Sequence, residues 1–96
     1  MKITTKSGFS LDIDKEILND WKITEAIAEA SSEDTTEQIR GIVNLVKLIF
    51  HDQKKAYYDF VARKHNGRVP NEVINEDVTT IFESLNEAKN SQSSQG

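Results

Sequence analysis

The sequence has no cysteine, which excludes a disulfide framework, a thiolate zinc site and a cysteine nucleophile. It also lacks long apolar runs. Leu48-Ile49-Phe50 is as long as any, whereas a membrane-spanning helix needs about 20 such residues. No apolar h-region stands behind Met1-Lys2-Ile3-Thr4-Thr5-Lys6, so no secretory signal is expected. Gly8, Gly41, Gly67 and Gly96 lie too far apart to form a phosphate-binding loop. His51 and His65 are not at the i, i+3 or i+4 spacing of a helical metal site. His51-Asp52 is a poor base and orienter, because neighbours on a helix point in different directions. No catalytic residue, metal ligand or cofactor is therefore expected.

What is present fits one small domain. The chain has 96 residues, 36% of them hydrophobic and 29% charged, enough for a single modest core. A small cytoplasmic protein is the simplest expectation. The net charge is −4, which argues mildly against nucleic acid as a partner. Its distribution is uneven. Residues 1–39 sum to −5, residues 40–68 to +5 and residues 69–96 to −4. The basic middle either attracts the chain's own acidic segments or meets an acidic partner. Lys64-His65-Asn66-Gly67-Arg68 reads first as a turn, since it lacks the repeated cations and aromatics of a nucleic-acid contact.

The fold class expected is mainly α with a small N-terminal β-hairpin, packed as a compact bundle of about four helices. The domain covers residues 1–88, the hairpin about residues 2–13, and residues 89–96 form a disordered tail without apolar content. Lys2–Thr5 and Phe9–Ile13 are the strands. Phe9, Leu11 and Ile13 alternate with Ser10 and Asp12, and Gly8 supplies the turn. Helical spacing begins after Asp14. Ile17, Trp21, Thr24 and Ala28 share a stripe, Ile23 and Ala30 fall outside it, and a break at Asn19-Asp20 with Asp20 as a new cap accounts for the drift.

A long central helix follows, capped by Thr35 with Gln38 or equally by Asp34 with Glu37. Its expected core face is Ile39, Ile42, Val43, Val46, Ile49 and Phe50. His51-Asp52 breaks it, and Asp52 caps a helix that buries Ala56, Tyr57, Phe60 and Val61. Asn66-Gly67 ends that helix in the left-handed conformation. Pro70 precedes a last helix, capped by Asn75, with Val78, Ile81, Phe82 and Leu85 inward.

Gly41, Leu45 and Leu48 lie beside the central stripe. A glycine inside a helix costs about 1 kcal/mol relative to alanine, so close packing is its natural reason. Two readings fit: another helix of the same domain covers this flank, or it is a groove or self-association surface for a partner. Tyr58, off the stripe of its own helix, is a candidate for the same surface.

Three stretches together resemble the small tail assembly chaperones of long-tailed, siphovirus-type bacteriophages. They are Asp20-Trp21-Lys22-Ile23-Thr24-Glu25-Ala26-Ile27-Ala28-Glu29-Ala30, Val43-Asn44-Leu45-Val46-Lys47-Leu48-Ile49-Phe50-His51-Asp52 and Asn66-Gly67-Arg68-Val69-Pro70. Each motif alone is weak, but order and spacing agree over about residues 9–87. The sequence departs from the family at the break, where Phe50-His51-Asp52 replaces the usual glycine before the acidic residue. The resemblance implies a non-enzymatic, cofactor-free protein of the host bacterial cytoplasm, absent from the mature virion. It implies binding to the tape measure protein, a long helical client kept soluble until tail-tube subunits surround it. It also implies a frameshift near Ala88-Lys89-Asn90 that adds a domain recruiting the tail-tube protein. Readings from other classes are a small helical DNA-binding regulator and an inhibitor or adaptor of another protein.

Overall fold

Alternation at the N-terminus produces the expected hairpin. In the computed structural model, which describes the backbone of residues 1–94 and the side chains of residues 1–88, β1 (Lys2–Thr4) pairs antiparallel with β2 (Ser10–Asp12), Ile3 opposite Leu11. The strands are shorter than expected, because Thr5 and Phe9 already belong to the turn: Thr5 N–H donates to the Phe9 carbonyl at 2.8 Å. Gly8 holds a φ of 103°, which only glycine adopts without strain. Ile3, Leu11 and Ile13 are buried, so the hairpin lies on the helices by one face.

A 3₁₀ turn at Ile17–Asn19 and the Asp20 cap separate the hairpin from α1 (Trp21–Ala30). The Asp20 carboxylate accepts from Lys22 N–H at 2.9 Å. The expected stripe of α1 is corrected. Ile23 and Ala26 are buried, while Thr24 and Ala28 are exposed and Trp21 is 72% exposed. The Asp20 restart rotates the helix, so the register carried over from Ile17 no longer applies.

Asp34, not Thr35, caps α2 (Thr35–Phe50), accepting from Glu37 N–H at 3.0 Å. The helix ends at His51, whose φ of 48° lies in the region that favours glycine. A 3₁₀ turn at His51–Gln53 leads into α3 (Lys54–Lys64). Asp52 is not its cap: the capping position falls at Gln53, without a side-chain bond. Tyr57 and Val61 are buried and Phe60 half-buried, but Ala56 is exposed. Asn66 (φ 57°) and Gly67 (φ 87°) end α3 as the sequence indicates, with Gly67 N–H donating to the Ala62 carbonyl at 2.8 Å. The last helix, α4 (Asn71–Ser94), begins a turn earlier than expected. Val73 and Ile74 N–H groups both donate to the Pro70 carbonyl, and Asn75 lies inside the helix. The expected disordered tail, residues 89–96, lies outside the fully described residues.

The core is one cluster, drawn from the hairpin and from each of α1, α2, α3 and α4. Phe50 and Tyr57 stack at its centre with centroids 4.0 Å apart, and Phe9 meets Tyr57 edge-on at 5.4 Å. The chain is thus mainly helical with an antiparallel hairpin, though not an even bundle of about four helices. The ten-residue α1 packs most extensively on α2, and hollows remain where α2 and α4 face each other. No helix among the described residues is long and apolar enough to cross a membrane.

One polar cluster sits inside this core. Asp77 is buried, and its carboxylate accepts from Ser7 N–H (2.9 Å), the Ser7 hydroxyl (2.6 Å) and the Tyr57 hydroxyl (2.6 Å). The three donors compensate the cost of burying a carboxylate. They also tie the hairpin turn to α3 and α4. Burial first, and the hydrogen bond to Asp77 second, push the Tyr57 phenol above its ordinary value of 10.0. Lys6 adds an ion pair to Glu76 at 2.7 Å, and Lys64 donates to the Ser7 carbonyl at 2.9 Å.

Candidate functional site

The two flanks of α2 are covered unevenly. Gly41 and Leu45, candidates for a partner surface or for cover by another helix of the domain, are buried inside the domain. The helix that approaches Gly41 is α1 of the same chain. A Cβ built on Gly41 would stand 2.2 Å from the Ala30 backbone nitrogen and 2.7 Å from the Ala30 Cα. The glycine is there because two backbones touch. Leu48 is half-buried on the same side, in a shallow hollow that it shares with Lys22, Glu25, Glu29 and Lys47. The groove expected from Gly41, Leu45 and Leu48 is therefore largely filled by α1.

The opposite flank, expected as core, is partly uncovered. Ile39 is 56% exposed and Val43 44% exposed, and Ile42 is half-buried. Only the C-terminal half of the stripe, Val46, Ile49 and Phe50, is sealed. Around Ile39 and Val43 a hollow of about 420 Å³ opens toward α3 and the start of α4, where Tyr58, Val69 and Ile74 complete the apolar wall. Tyr58 is the one expected partner residue that lines it, on the side opposite to Gly41. A second hollow, about 650 Å³, lies between α1, α2 and α4 and includes Leu18, Ile27 and Phe82.

The two hollows meet at Gln38, Ile42 and Asn75, which line both. Together they follow α4 from Asn71 to Asn86, a length of about 22 Å at the helical rise per residue. No charged side chain lines the first hollow, and Glu83 alone lines the second. On a chain with 29% charged residues this is an apolar trough with neutral amide edges. It suits packing against another apolar surface rather than bond-making chemistry.

Other groups offer less. Among the described residues no group of three or more His, Cys, Asp or Glu side chains is placed to hold a metal ion. The Ser7–Tyr57–Asp77 cluster was not visible in the sequence, because its members are 20 and 70 residues apart. An aspartate at a buried position of α4, next to Val78 and one turn before Ile81, was the available signal. No protein-family model, curated protein or solved structure matches the chain.

Proposed function

We propose that the chain is a tail assembly chaperone of a long-tailed bacteriophage, binding the tape measure protein and keeping it soluble in the host bacterial cytoplasm. The observation that carries this reading is the uncovered trough walled by Ile39, Val43 and Ile74 between α2 and α4. An amphipathic client helix lays its apolar stripe in such a groove. The resemblance over residues 9–87 supplies the identity of the client. The break after α2 supports it as well: His51 takes a φ of 48° where the family carries glycine. The net charge of −4 favours solubility of a complex with an aggregation-prone partner.

Within this reading the tail-tube protein is met through a longer, frameshifted product joined near Ala88–Asn90, and the chaperone leaves before the virion matures. A slippery run of adenines in the nucleotides across Ala88–Asn90 supports that junction, and its absence removes it.

The DNA-binding reading is weaker, since part of its basic segment is already engaged. Lys55 pairs with Asp59 at 2.9 Å, and Lys64 holds the Ser7 carbonyl and sits 4.4 Å from the Phe60 ring centroid. Retention on duplex DNA that falls steeply with salt would revive it.

Co-expression with the tape measure protein tests the proposal. The client is expected in the soluble fraction only when this chain is present. A client equally soluble alone contradicts it.

A further inference from the structure

The turn between α3 and α4 leaves a reactive pair in the open. Asn66 and Gly67 are both exposed, with φ of 57° and 87°, and nothing lies within 4 Å of a Cβ placed on Gly67. Gly67 N–H donates to the Ala62 carbonyl at 2.8 Å, and this bond caps the C-terminus of α3. The same nitrogen is one five-membered ring away from the Asn66 side-chain Cγ. Asn66 is the one asparagine followed by glycine. The others are followed by Asp20, Leu45, Glu72, Glu76, Glu87 and Ser91, whose side chains hinder ring closure. Asn44, Asn75 and Asn86 also lie inside helices, where a peptide unit cannot rotate alone.

We propose that Asn66–Gly67 is a site of spontaneous covalent modification, where the folded chain converts Asn66 to aspartate and isoaspartate and weakens the cap of α3. Hydroxide removes the Gly67 N–H proton, and the nitrogen adds to Asn66 Cγ. A C–N bond forms, the Cγ–Nδ2 bond breaks, and the amide nitrogen leaves as ammonia. Water then opens the succinimide ring. Opening at the Cγ–N bond gives aspartate, and opening at the bond to the main-chain carbonyl gives isoaspartate. The attack requires the Asn66–Gly67 peptide unit to rotate and release Ala62, and an exposed helix end opens at little cost. Arg63, Lys64 and Arg68 flank the pair in a stretch, residues 60–71, that holds no carboxylate, which favours the nitrogen anion. The closed ring has no N–H to give Ala62. Isoaspartate lengthens the main chain by one carbon and moves Gly67 off that carbonyl. Either product sets a carboxylate at the end of α3, where the helix dipole disfavours it.

The test incubates the folded, full-length chain at mildly acid and mildly alkaline pH, followed by peptide mapping that resolves aspartate from isoaspartate. Asn66 is expected to convert about tenfold faster than any other asparagine, a barrier difference of about 1.4 kcal/mol, and faster in alkali. Gly67→Ala, whose added methyl meets open space, is expected to slow the conversion by a similar factor. The converted chain, separated by ion exchange, is expected to melt about 4 °C lower, the shift that loss of one capping bond gives a chain of this size. An Asn66 that stays intact while a free peptide of residues 60–72 converts would show that the cap protects it, and would overturn the proposal. Earlier conversion at another asparagine would overturn it too. A converted chain that melts with the unmodified one would contradict the coupling to the cap.

Discussion

The two sides of α2 carry similar residues and have opposite fates. On one side Gly41 is pressed against α1 with no space for a single added carbon, and Leu45 is buried beside the second hollow, whose wall it helps to form. On the other, Ile39 and Val43 face open space although they belong to the stronger apolar stripe. The difference lies in the neighbours. The turn after Ser31 is short, so α1 must fold straight back along α2 and claims the glycine flank. The helix α4 arrives after a long excursion through α3 and leaves hollows beside Gln38 and Ile42, whereas Ile49 and Phe50 are sealed in the core. What an apolar side chain does depends on whether another element reaches it.

The sharpest way to break this comparison is at Gly41. Gly41→Val places atoms inside the α1 backbone and is expected to cost about 3 kcal/mol or more. A thermal melt measures it, and an unchanged melting temperature would show that α1 is free to move away. Leu45→Ala, on the same side, is expected to cost about 3 kcal/mol through lost burial and the cavity left behind. On the open side the expectation reverses. Ile39→Ser and Val43→Ser should each change stability by less than about 0.5 kcal/mol, while the client's soluble fraction falls. Leu48→Asp belongs between the two, because Leu48 is half-buried beside α1. A loss near 1 kcal/mol is expected there, with little effect on client binding.

Two further changes sharpen the account away from α2. Tyr57→Phe leaves Asp77 with the two donors of Ser7 and is expected to cost about 1.5 kcal/mol at neutral pH. The variant also has a pH signature. The Tyr57 phenol is raised above 10.0 in the folded chain, so its stabilisation is complete below pH 10 and is lost as pH rises from there. Denaturant midpoints of wild type and Tyr57→Phe should therefore converge in alkali, and a constant gap would contradict the linkage. The last effect has the opposite sign. His51→Gly relieves the positive φ and is expected to raise stability by about 1 kcal/mol, read as a higher melting temperature.

Much of the local structure was legible. Gly8, Asp20, Asn66 and Gly67 mark their turns and caps through chemistry that needs no tertiary partner. The hairpin alternation identifies Leu11 and Ile13 as core for the same reason. Faces were harder. Periodicity finds the apolar stripe of α2 but does not say which stretch of it another helix will cover, so Ile39 and Val43 look like core. A lone glycine announces a close approach but not whose backbone approaches, so Gly41 looked like a candidate for a partner. In α1 a new cap at Asp20 reset the register, and the stripe through Trp21 and Thr24 turned outward. Asp77 was hidden because its donors come from Ser7 and Tyr57, which only the folded chain brings to it.

The account stands on the claim that the Ile39–Val43 face is a docking surface and not an imperfect core. The soluble fraction of the co-expressed tape measure protein, measured with the Ile39→Asp/Val43→Asp chain whose own fold is verified by circular dichroism, tests it most directly. The folded double variant is expected to leave the client insoluble where the wild-type chain keeps it in solution. A client that stays as soluble with the double variant as with wild type would contradict the claim.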